Sequence, residues 1–294
     1  MRVVVAGASG FIGKSVQNVL LGRSSTNSSL ETYYLTSKPE RNSGRNGKWV
    51  TIKNDADNIQ GVMCDLKPEI FINLAWMGIP DYSFGNSSAN IFLNSSLIHS
   101  AYLAGAKRVI TTGSCWEYLN PSGAVVETAP VDEGNFFKVA KNTVRKFGEI
   151  SAQQFETEFI WLRLFYVFGR HQNQHSLLPS LILQGLNGQC PEAKNLASKL
   201  DFVNVDFVAE TIVNLIDREL LEHKIYNIGS GAQTPIVDIL NSVREYFGYT
   251  NFEIEPKEYH QDFFADISRL EKITSVNKPT ILQSIPTLIE DMKR

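Results

Sequence analysis

The sequence predicts an α/β protein built on a doubly wound parallel sheet, followed by a smaller C-terminal lobe. Three observations lead to this fold class. Short β-rich runs alternate with helical stretches over the first 170 residues, a glycine-rich turn joins the first strand to the first helix, and the alternation loosens after Gly169. We therefore place one domain at residues 1–169 and the lobe at residues 170–294, with segments of the lobe returning to the first domain.

Runs rich in β-branched and aromatic residues predict the strands of the sheet. They lie at residues 2–6, 33–36, 50–52, 70–75, 108–112 and 159–164. Apolar residues at helical spacing predict helices at residues 13–21, 88–104, 137–155 and 177–186. The polar cluster at 24–30 and the irregular segment at 187–199 predict loops.

Composition excludes several classes of protein. Apolar residues make up 43% of the chain, which is enough for a large core, and the net charge of −3 gives no basic excess for binding nucleic acid. No apolar run approaches the roughly 20 residues that span a bilayer. Three distant cysteines and five scattered histidines indicate neither a disulfide framework nor a metal site. We expect a cytoplasmic protein that binds no membrane, nucleic acid or metal.

The turn after the first strand has glycines at Gly7, Gly10 and Gly13. A glycine turn between a strand and a helix is typical of a site for a dinucleotide pyrophosphate, which lies against the N–H groups of the helix N-terminus. The residues predicted to bind the cofactor here are Gly7, Ser9, Gly10, Phe11, Ile12 and Gly13.

The end of the second strand indicates which dinucleotide binds. An acidic side chain at this place would bind the ribose of NAD. The sequence instead has Thr36, Ser37 and Lys38, with Arg41 just beyond. Hydroxyls and cations suit the extra phosphate of NADP(H), which is therefore the predicted cofactor. A solvated basic loop without a ligand is the alternative.

Further motifs follow in order along the chain. They are 72–75 (Ile-Asn-Leu-Ala), Asn90 ahead of 105–108 (Gly-Ala-Lys-Arg), 112–118 (Thr-Gly-Ser-Cys-Trp-Glu-Tyr), 162–165 (Leu-Arg-Leu-Phe), 200–206 (Leu-Asp-Phe-Val-Asn-Val-Asp) and 226–231 (Tyr-Asn-Ile-Gly-Ser-Gly). With the glycine turn, they make nearly the whole chain resemble the extended short-chain dehydrogenase/reductases of the NAD-dependent epimerase/dehydratase family. The resemblance implies a Rossmann-type fold, activity on nucleotide-linked sugars and a homodimer. It also implies cofactor contacts from Leu74, Ala75, Lys141 and Phe165.

The same resemblance implies a catalytic set with one member changed. In the family a serine or threonine polarises the substrate carbonyl, and Ser114 matches it. A Tyr-x-x-x-Lys pair then supplies the proton, and Lys141 matches the lysine while Phe137 stands at the tyrosine position. Phenylalanine has no proton to transfer. A deliberate Tyr-to-Phe replacement, a natural non-catalytic relative or another acid would each explain this, and the intact surrounding motifs favour the first. Asn90 and Tyr118 are weaker candidates for a role in proton transfer.

The resemblance also implies a substrate pocket and a reaction. The residues predicted to contact substrate are Met77, Ser114, Cys115, Trp116, Phe137, Tyr166, Leu178 and Lys199. The motifs look most like those of ketoreductases that use NADPH to reduce the C4 keto group of a dTDP- or CDP-linked 4-keto-6-deoxyhexose. A nucleotide-sugar 4-epimerase with tightly held NAD is one alternative. An NADP-binding sensor or scaffold, in which Phe137 is native, is the other.

Overall fold

The computed structural model describes residues 1–26, 28–38, 47–219, 221–249, 261–274 and 279–293. Its strands are β1 (Arg2–Ala6), β2 (Glu31–Thr36), β3 (Lys48–Thr51), β4 (Ile70–Asn73), β5 (Arg108–Ser114), β6 (Gly123–Val125), β7 (Glu158–Leu164), β8 (Tyr166–Phe168), β9 (Ser198–Leu200), β10 (Phe202–Asn204), β11 (Ile225–Ile228), β12 (Thr234–Pro235) and β13 (Gln261–Ala265). Its helices are α1 (Phe11–Thr26), α2 (Ala56–Leu66), α3 (Phe84–Leu103), α4 (Phe136–Gln154), α5 (Leu177–Leu186), α6 (Val205–Asn214), α7 (Ile236–Tyr246), α8 (Ser268–Glu271) and α9 (Ile281–Met292).

The chain forms two compact units. The first contains residues 1–119, 130–163 and 209–226, and the second contains residues 120–129, 164–208 and 227–294. A sheet with the strand order β3-β2-β1-β4-β5-β7-β11 forms the centre of the first unit. The pairings of β1 with β2 and β4, of β2 with β3, and of β4 with β5 are all parallel. The predicted doubly wound α/β sheet is confirmed.

Strand order determines where a ligand can bind in the first unit. Strand β2, which follows β1 in the chain, pairs with one edge of β1, and β4 pairs with the other edge of β1. The connections therefore leave the carboxyl ends of β1 and β4 in opposite directions, and this divergence opens a crevice at the topological switch point. The glycine turn after β1 and the loop after β4 meet at this crevice.

One sequence prediction near the helices was wrong, and one helix was not predicted. Residues 24–26 were expected in a loop, but α1 continues to Thr26. The Ser24 hydroxyl donates to the carbonyl of Leu20 at 2.9 Å and the Ser25 hydroxyl donates to Gly22 at 2.6 Å, so the serines are satisfied within the helix. Helix α2 was not predicted, although Asp55 caps it by accepting the N–H of Asn58.

The second unit has its own core. Its four-stranded sheet runs in the order β12-β9-β13-β6, and β8 pairs with β10 in a separate two-stranded sheet. Helices α5, α7 and α9 contribute buried apolar side chains such as Leu181, Ile239 and Ile285 to this core. Helix α5 has the bounds that the sequence predicts. Among the described residues, no helix combines the length and the apolar character needed to cross a membrane.

Candidate cofactor and catalytic site

The turn after β1 has backbone contacts that only glycine allows. Gly7 has a φ of +78°, and a Cβ there would lie 2.6 Å from the carbonyl carbon of Leu74. A Cβ on Gly13 would lie 2.1 Å from the Gly7 oxygen. The Gly10 N–H donates to the same oxygen at 3.0 Å. The turn therefore brings the N-terminus of α1 directly over the end of β1, and the first N–H groups of a helix are suited to bind an anion.

A cavity of about 500 Å³ opens above this turn within the first unit. It is lined by Ala6, Gly7, Ser9, Gly10, Leu35, Thr36, Ser37, Lys38, Ile52, Asn54, Leu74, Ala75, Trp76, Met77, Gly78, Leu93 and Leu97. Gly7, Ser9 and Gly10 of the glycine turn thus share one space with the predicted cofactor residues from the ends of β2 and β4, whereas Phe11, Ile12 and Gly13 do not line it. Of the described side chains that line it, none is a carboxylate and Lys38 carries a positive charge. Arg41, also predicted to bind cofactor, lies outside the described residues.

The end of β2 has a fixed shape. The Thr36 hydroxyl accepts the N–H of Lys38 at 3.1 Å, and Thr36 is itself buried. Ser37 and Lys38 are exposed beside it. Thr36 therefore shapes the turn, while the side chains of Ser37 and Lys38 are the ones available to a ligand. The glycine turn, the cavity and this strand end fit a nicotinamide dinucleotide.

Lys141 is buried and lies on α4. Its Nζ donates to the carbonyl of Thr112 at 2.9 Å and lies 3.7 Å from the centre of the Trp76 ring. Burial lowers the pKa of Lys141 to about 7, although the negative charge of Glu117 acts in the opposite direction. Because Trp76 also lines the cavity, Lys141 lies directly behind the cavity wall.

Phe137 is enclosed by aromatic rings. Its ring centre lies 5.5 Å from that of Trp76, 5.1 Å from Tyr82 and 6.1 Å from Trp116. The Lys141 Nζ is 5.9 Å from the Phe137 ring centre, which places the pair on one face of α4. Tyr82 therefore brings a phenol beside the position at which the resemblance implies a tyrosine, and burial raises the pKa of Tyr82.

Ser114 ends β5 and caps the short 3₁₀ helix Cys115–Glu117. Its hydroxyl accepts the N–H of Trp116 at 3.2 Å, and its own N–H donates to Glu117 at 2.7 Å. The Ser114 side chain is half-buried. Since the hydroxyl accepts from the backbone, its proton remains available to a substrate carbonyl.

The other predicted residues of the first unit differ in accessibility. Cys115 is buried, whereas Met77 and Trp116 are exposed. Asn90 is fully buried: its side chain accepts the N–H of Met77 at 2.8 Å and donates to the Met77 carbonyl at 3.1 Å. Helix α3 begins at Phe84, so Asn90 lies within this helix and not at its start. It fixes the loop that follows β4.

Several predicted residues belong to the second unit. Phe165 is buried with its ring centre 5.9 Å from that of Phe263, and Tyr166 contacts the same ring at 6.3 Å. Leu178 lines a separate cavity of about 410 Å³ within this unit. Lys199 lies half-buried on β9. Their roles in binding stay predictions.

Sequence reasoning missed two residues of the site. Glu117 is fully buried beneath Ser114, and Tyr82 lies against Phe137. The spacing from Ser114 to Glu117 is that of a capping box, which could have identified the first. The contacts of Tyr82 and Trp76 depend on the path of the loop after β4, which the sequence does not indicate.

Comparisons with known proteins agree with this geometry. The model of the NAD-dependent epimerase/dehydratase family matches residues 3–229. GDP-L-fucose synthase 1 of Arabidopsis thaliana is 23% identical over 275 residues, which cover 84% of this chain and 78% of that protein. The structure of the Thermotoga maritima UDP-glucose 4-epimerase with UDP-glucose has a TM-score of 0.84 and 16% identity, and the match covers 100% of this chain and 99% of that one.

A further solved structure has a dinucleotide bound. The UDP-glucuronic acid 4-epimerase from Bacillus cereus, in complex with UDP-glucuronic acid and NAD, has a TM-score of 0.82 and 21% identity over 100% of this chain and 99% of that one. Both structures confirm the fold class. The family match covers well over half of the chain and supports a nicotinamide dinucleotide as its cofactor. This chain belongs to the NAD-dependent epimerase/dehydratase family.

Proposed function

We propose that this fold binds NADPH and serves to reduce the C4 keto group of a nucleotide-linked 4-keto-6-deoxyhexose, with dTDP or CDP as the nucleotide. One observation about the cavity carries the proposal. Ser37 and Lys38 line it at the end of β2, and none of its described lining residues is a carboxylate. A reductase consumes reduced cofactor, and such a lining favours the 2′-phosphate of NADPH. The names of the relatives, which refer to GDP, UDP-glucose and UDP-glucuronic acid, support a nucleotide-sugar substrate.

The residues of the site have distinct parts in this reaction. The reduced nicotinamide, when bound, supplies a hydride to the carbonyl carbon. Ser114 donates a hydrogen bond to the carbonyl oxygen, where negative charge develops. Lys141 would hold the ribose next to the nicotinamide, which requires the Trp76 ring that lies against its Nζ to move aside. A hydroxyl on the ring at position 137 would give the product oxygen its proton.

Phe137 affects turnover in this chain but not the binding of the cofactor. Its ring keeps the aromatic packing with Trp76, Tyr82 and Trp116 but cannot donate a proton. The cavity that receives the cofactor does not depend on that proton. We therefore propose that cofactor binding is retained while reduction is strongly impaired.

The epimerase alternative makes a different prediction about the purified protein. A 4-epimerase would retain NAD through purification and would consume no NADPH. The 16% identity to the Thermotoga maritima 4-epimerase shows a shared fold only. A chain purified free of NAD that binds added NADPH favours the reductase.

Cofactor choice is the first testable consequence. We expect this chain to bind NADPH more tightly than NADH, and Lys38→Ala to weaken NADPH binding by roughly tenfold, the size of one charge-assisted hydrogen bond. NADH binding should barely change, because NADH has no 2′-phosphate. Fluorescence titration with both cofactors measures this. Lys107→Ala, which removes an exposed lysine just before β5, is the matched control. Equal losses for NADH and NADPH in Lys38→Ala would contradict the assignment.

Subunit assembly is a second consequence. Helices α3 and α4 contact each other and expose Phe92, Phe147 and Ile150, with Ile150 62% accessible. Exposed apolar patches of this kind mark protein interfaces. We propose that they form a homodimer interface, and expect Ile150→Asp to convert the protein to monomers in light scattering. Leu282→Asp, an exposed apolar position on α9, should leave the mass unchanged. A monomeric unaltered protein would contradict this.

A further inference from the structure

A buried carboxylate connects the turn that carries Ser114 with the strand behind it. Glu117 has no solvent-exposed surface. One of its oxygens accepts the backbone N–H of Ser114 at 2.7 Å, and the other accepts the indole N–H of Trp161 at 2.9 Å and the Nε of Arg163 at 3.0 Å. The proposed hydride transfer makes no direct use of this group. Burying a carboxylate is costly unless its hydrogen bonds are made, and here three donors make them.

The chain leaves room for this carboxylate at one adjacent position. Gly113 precedes Ser114, and a Cβ there would lie 2.4 Å from a Glu117 carboxylate oxygen and 2.3 Å from the Trp161 indole nitrogen. Any larger residue would push the carboxylate away from the Ser114 N–H. The contact between Glu117 and Ser114 therefore depends on glycine at position 113.

The same carboxylate lies across one aromatic ring from Lys141. The Lys141 Nζ is 5.9 Å from the centre of the Trp161 ring, whose nitrogen donates to Glu117. The other groups around Nζ are the Thr112 carbonyl and the uncharged rings of Trp76 and Phe137. Beyond Glu117 lies the guanidinium of Arg163, which pairs with Glu117 and stacks at 4.5 Å over the ring of Tyr118.

These contacts leave Lys141 with one nearby negative charge among the groups described around it. In a buried environment, charges interact more strongly than in water. Burial lowers the pKa of Lys141 to about 7, and Glu117 opposes this effect. Without Glu117, desolvation alone would act on the ammonium group.

We propose that Glu117 is the positioning residue of this site, which orients Ser114 through its backbone N–H and keeps Lys141 charged where it meets the cofactor ribose. The inference rests on the proposed function because it assigns Ser114 to the substrate and Lys141 to the cofactor. It adds a residue that touches neither. The charge of Glu117 and its hydrogen bond to Ser114 are separable effects.

The pH dependence of NADPH binding tests the role of the charge. Lys141 is charged below its pKa of about 7, so NADPH affinity should fall as the pH rises through about 7. Glu117→Gln removes the charge. Its amide oxygen can still accept the Ser114 N–H, but its –NH₂ group then faces the N–H donors of Trp161 and Arg163. We expect this variant to move the midpoint down by roughly one pH unit. Glu117→Asp keeps the charge, so its midpoint should move by no more than about a third as much.

Activity tests the role of the hydrogen bond. In a Phe137→Tyr background, Glu117→Asp withdraws the carboxylate from the Ser114 N–H. We expect kcat to fall by roughly tenfold, the effect of one lost hydrogen bond, with less change in NADPH affinity. A merely structural role would instead lower the thermal stability and leave the pH midpoint where it is.

Glu127→Gln is the matched control. Glu127 is also buried, accepts the N–H of Asn227 at 3.0 Å and pairs with Arg269 at 3.3 Å, all within the second unit. The midpoint of Glu127→Gln should equal that of the unaltered chain.

Three results would overturn the proposal: an unmoved midpoint in Glu117→Gln, or a shift as large as that of Glu117→Gln in either Glu117→Asp or Glu127→Gln. If Glu117→Gln does not fold, a midpoint shift in Glu117→Asp as large as the one expected for Glu117→Gln is by itself enough to overturn the proposal. Since binding needs no substrate, failure of the reductase assignment would show separately, as absent turnover with the midpoint shift intact.

Discussion

Phe137→Tyr should raise the rate of NADPH oxidation with a 4-keto-6-deoxyhexose nucleotide by about 10²- to 10⁴-fold, the usual contribution of a positioned general acid. The new hydroxyl would lie on the same face of α4 as Lys141, whose Nζ is 5.9 Å from the ring centre. A protonated lysine beside a phenol lowers the phenol pKa and so improves it as a proton donor. Absorbance of NADPH during turnover, with dTDP- and CDP-linked keto sugars in turn, measures the rate.

Phe136→Tyr is the control for this substitution. It adds the same hydroxyl one residue earlier, on a side chain that is 53% exposed, and should leave the rate unchanged. If Phe137→Tyr gives no NADPH oxidation with any keto sugar, the sensor or scaffold alternative gains. If the unaltered chain already turns over and Tyr82→Phe abolishes that activity, the acid is Tyr82, whose ring lies 5.1 Å from that of Phe137.

Gly13→Ala should reduce affinity for the dinucleotide by at least about a hundredfold, or prevent folding. The added methyl group would lie 2.1 Å from the Gly7 oxygen and 2.6 Å from the Cα of Ala8, and both are backbone atoms. To relieve this overlap, α1 must move away from the end of β1. That movement would take the helix N-terminus off the pyrophosphate, where its N–H groups are needed. Calorimetric titration with NADPH and a thermal unfolding curve measure both effects.

Gly22→Ala provides a control within the same helix. No atom lies within 4 Å of a Cβ built on Gly22. Alanine in a helix interior is more favourable than glycine by about 0.5–1 kcal/mol, so this variant should be slightly more stable and bind NADPH normally. Similar losses of affinity in both variants would contradict the account of the glycine turn.

Much of the first unit follows from local sequence patterns. The strand run at residues 2–6 and the three glycines after it indicate both the element and its ligand, because hydrophobic pattern and turn chemistry agree there. Gly105 follows the end of α3 with a φ of +97°, a left-handed conformation that glycine adopts readily after a helix. Segment 24–26 was predicted wrongly because serine hydroxyls can bond to the preceding helical turn as well as to a loop.

The interior of the site was less predictable. Glutamate is usually a surface residue. The burial of Glu117 depends on Trp161 and Arg163, which lie more than forty positions after it in the chain. Tyr82 reaches Phe137 through a loop whose path is fixed by Asn90, a residue within α3. Such contacts come from tertiary packing, and one-dimensional patterns do not encode them.

Direct titration of the unaltered chain with NADPH, NADP⁺, NADH and NAD⁺ at about pH 6.5, where Lys141 is charged, tests whether this chain binds a nicotinamide dinucleotide. We expect binding to one site per chain, with NADPH tighter than NADH. Folded protein that binds none of the four dinucleotides would contradict it.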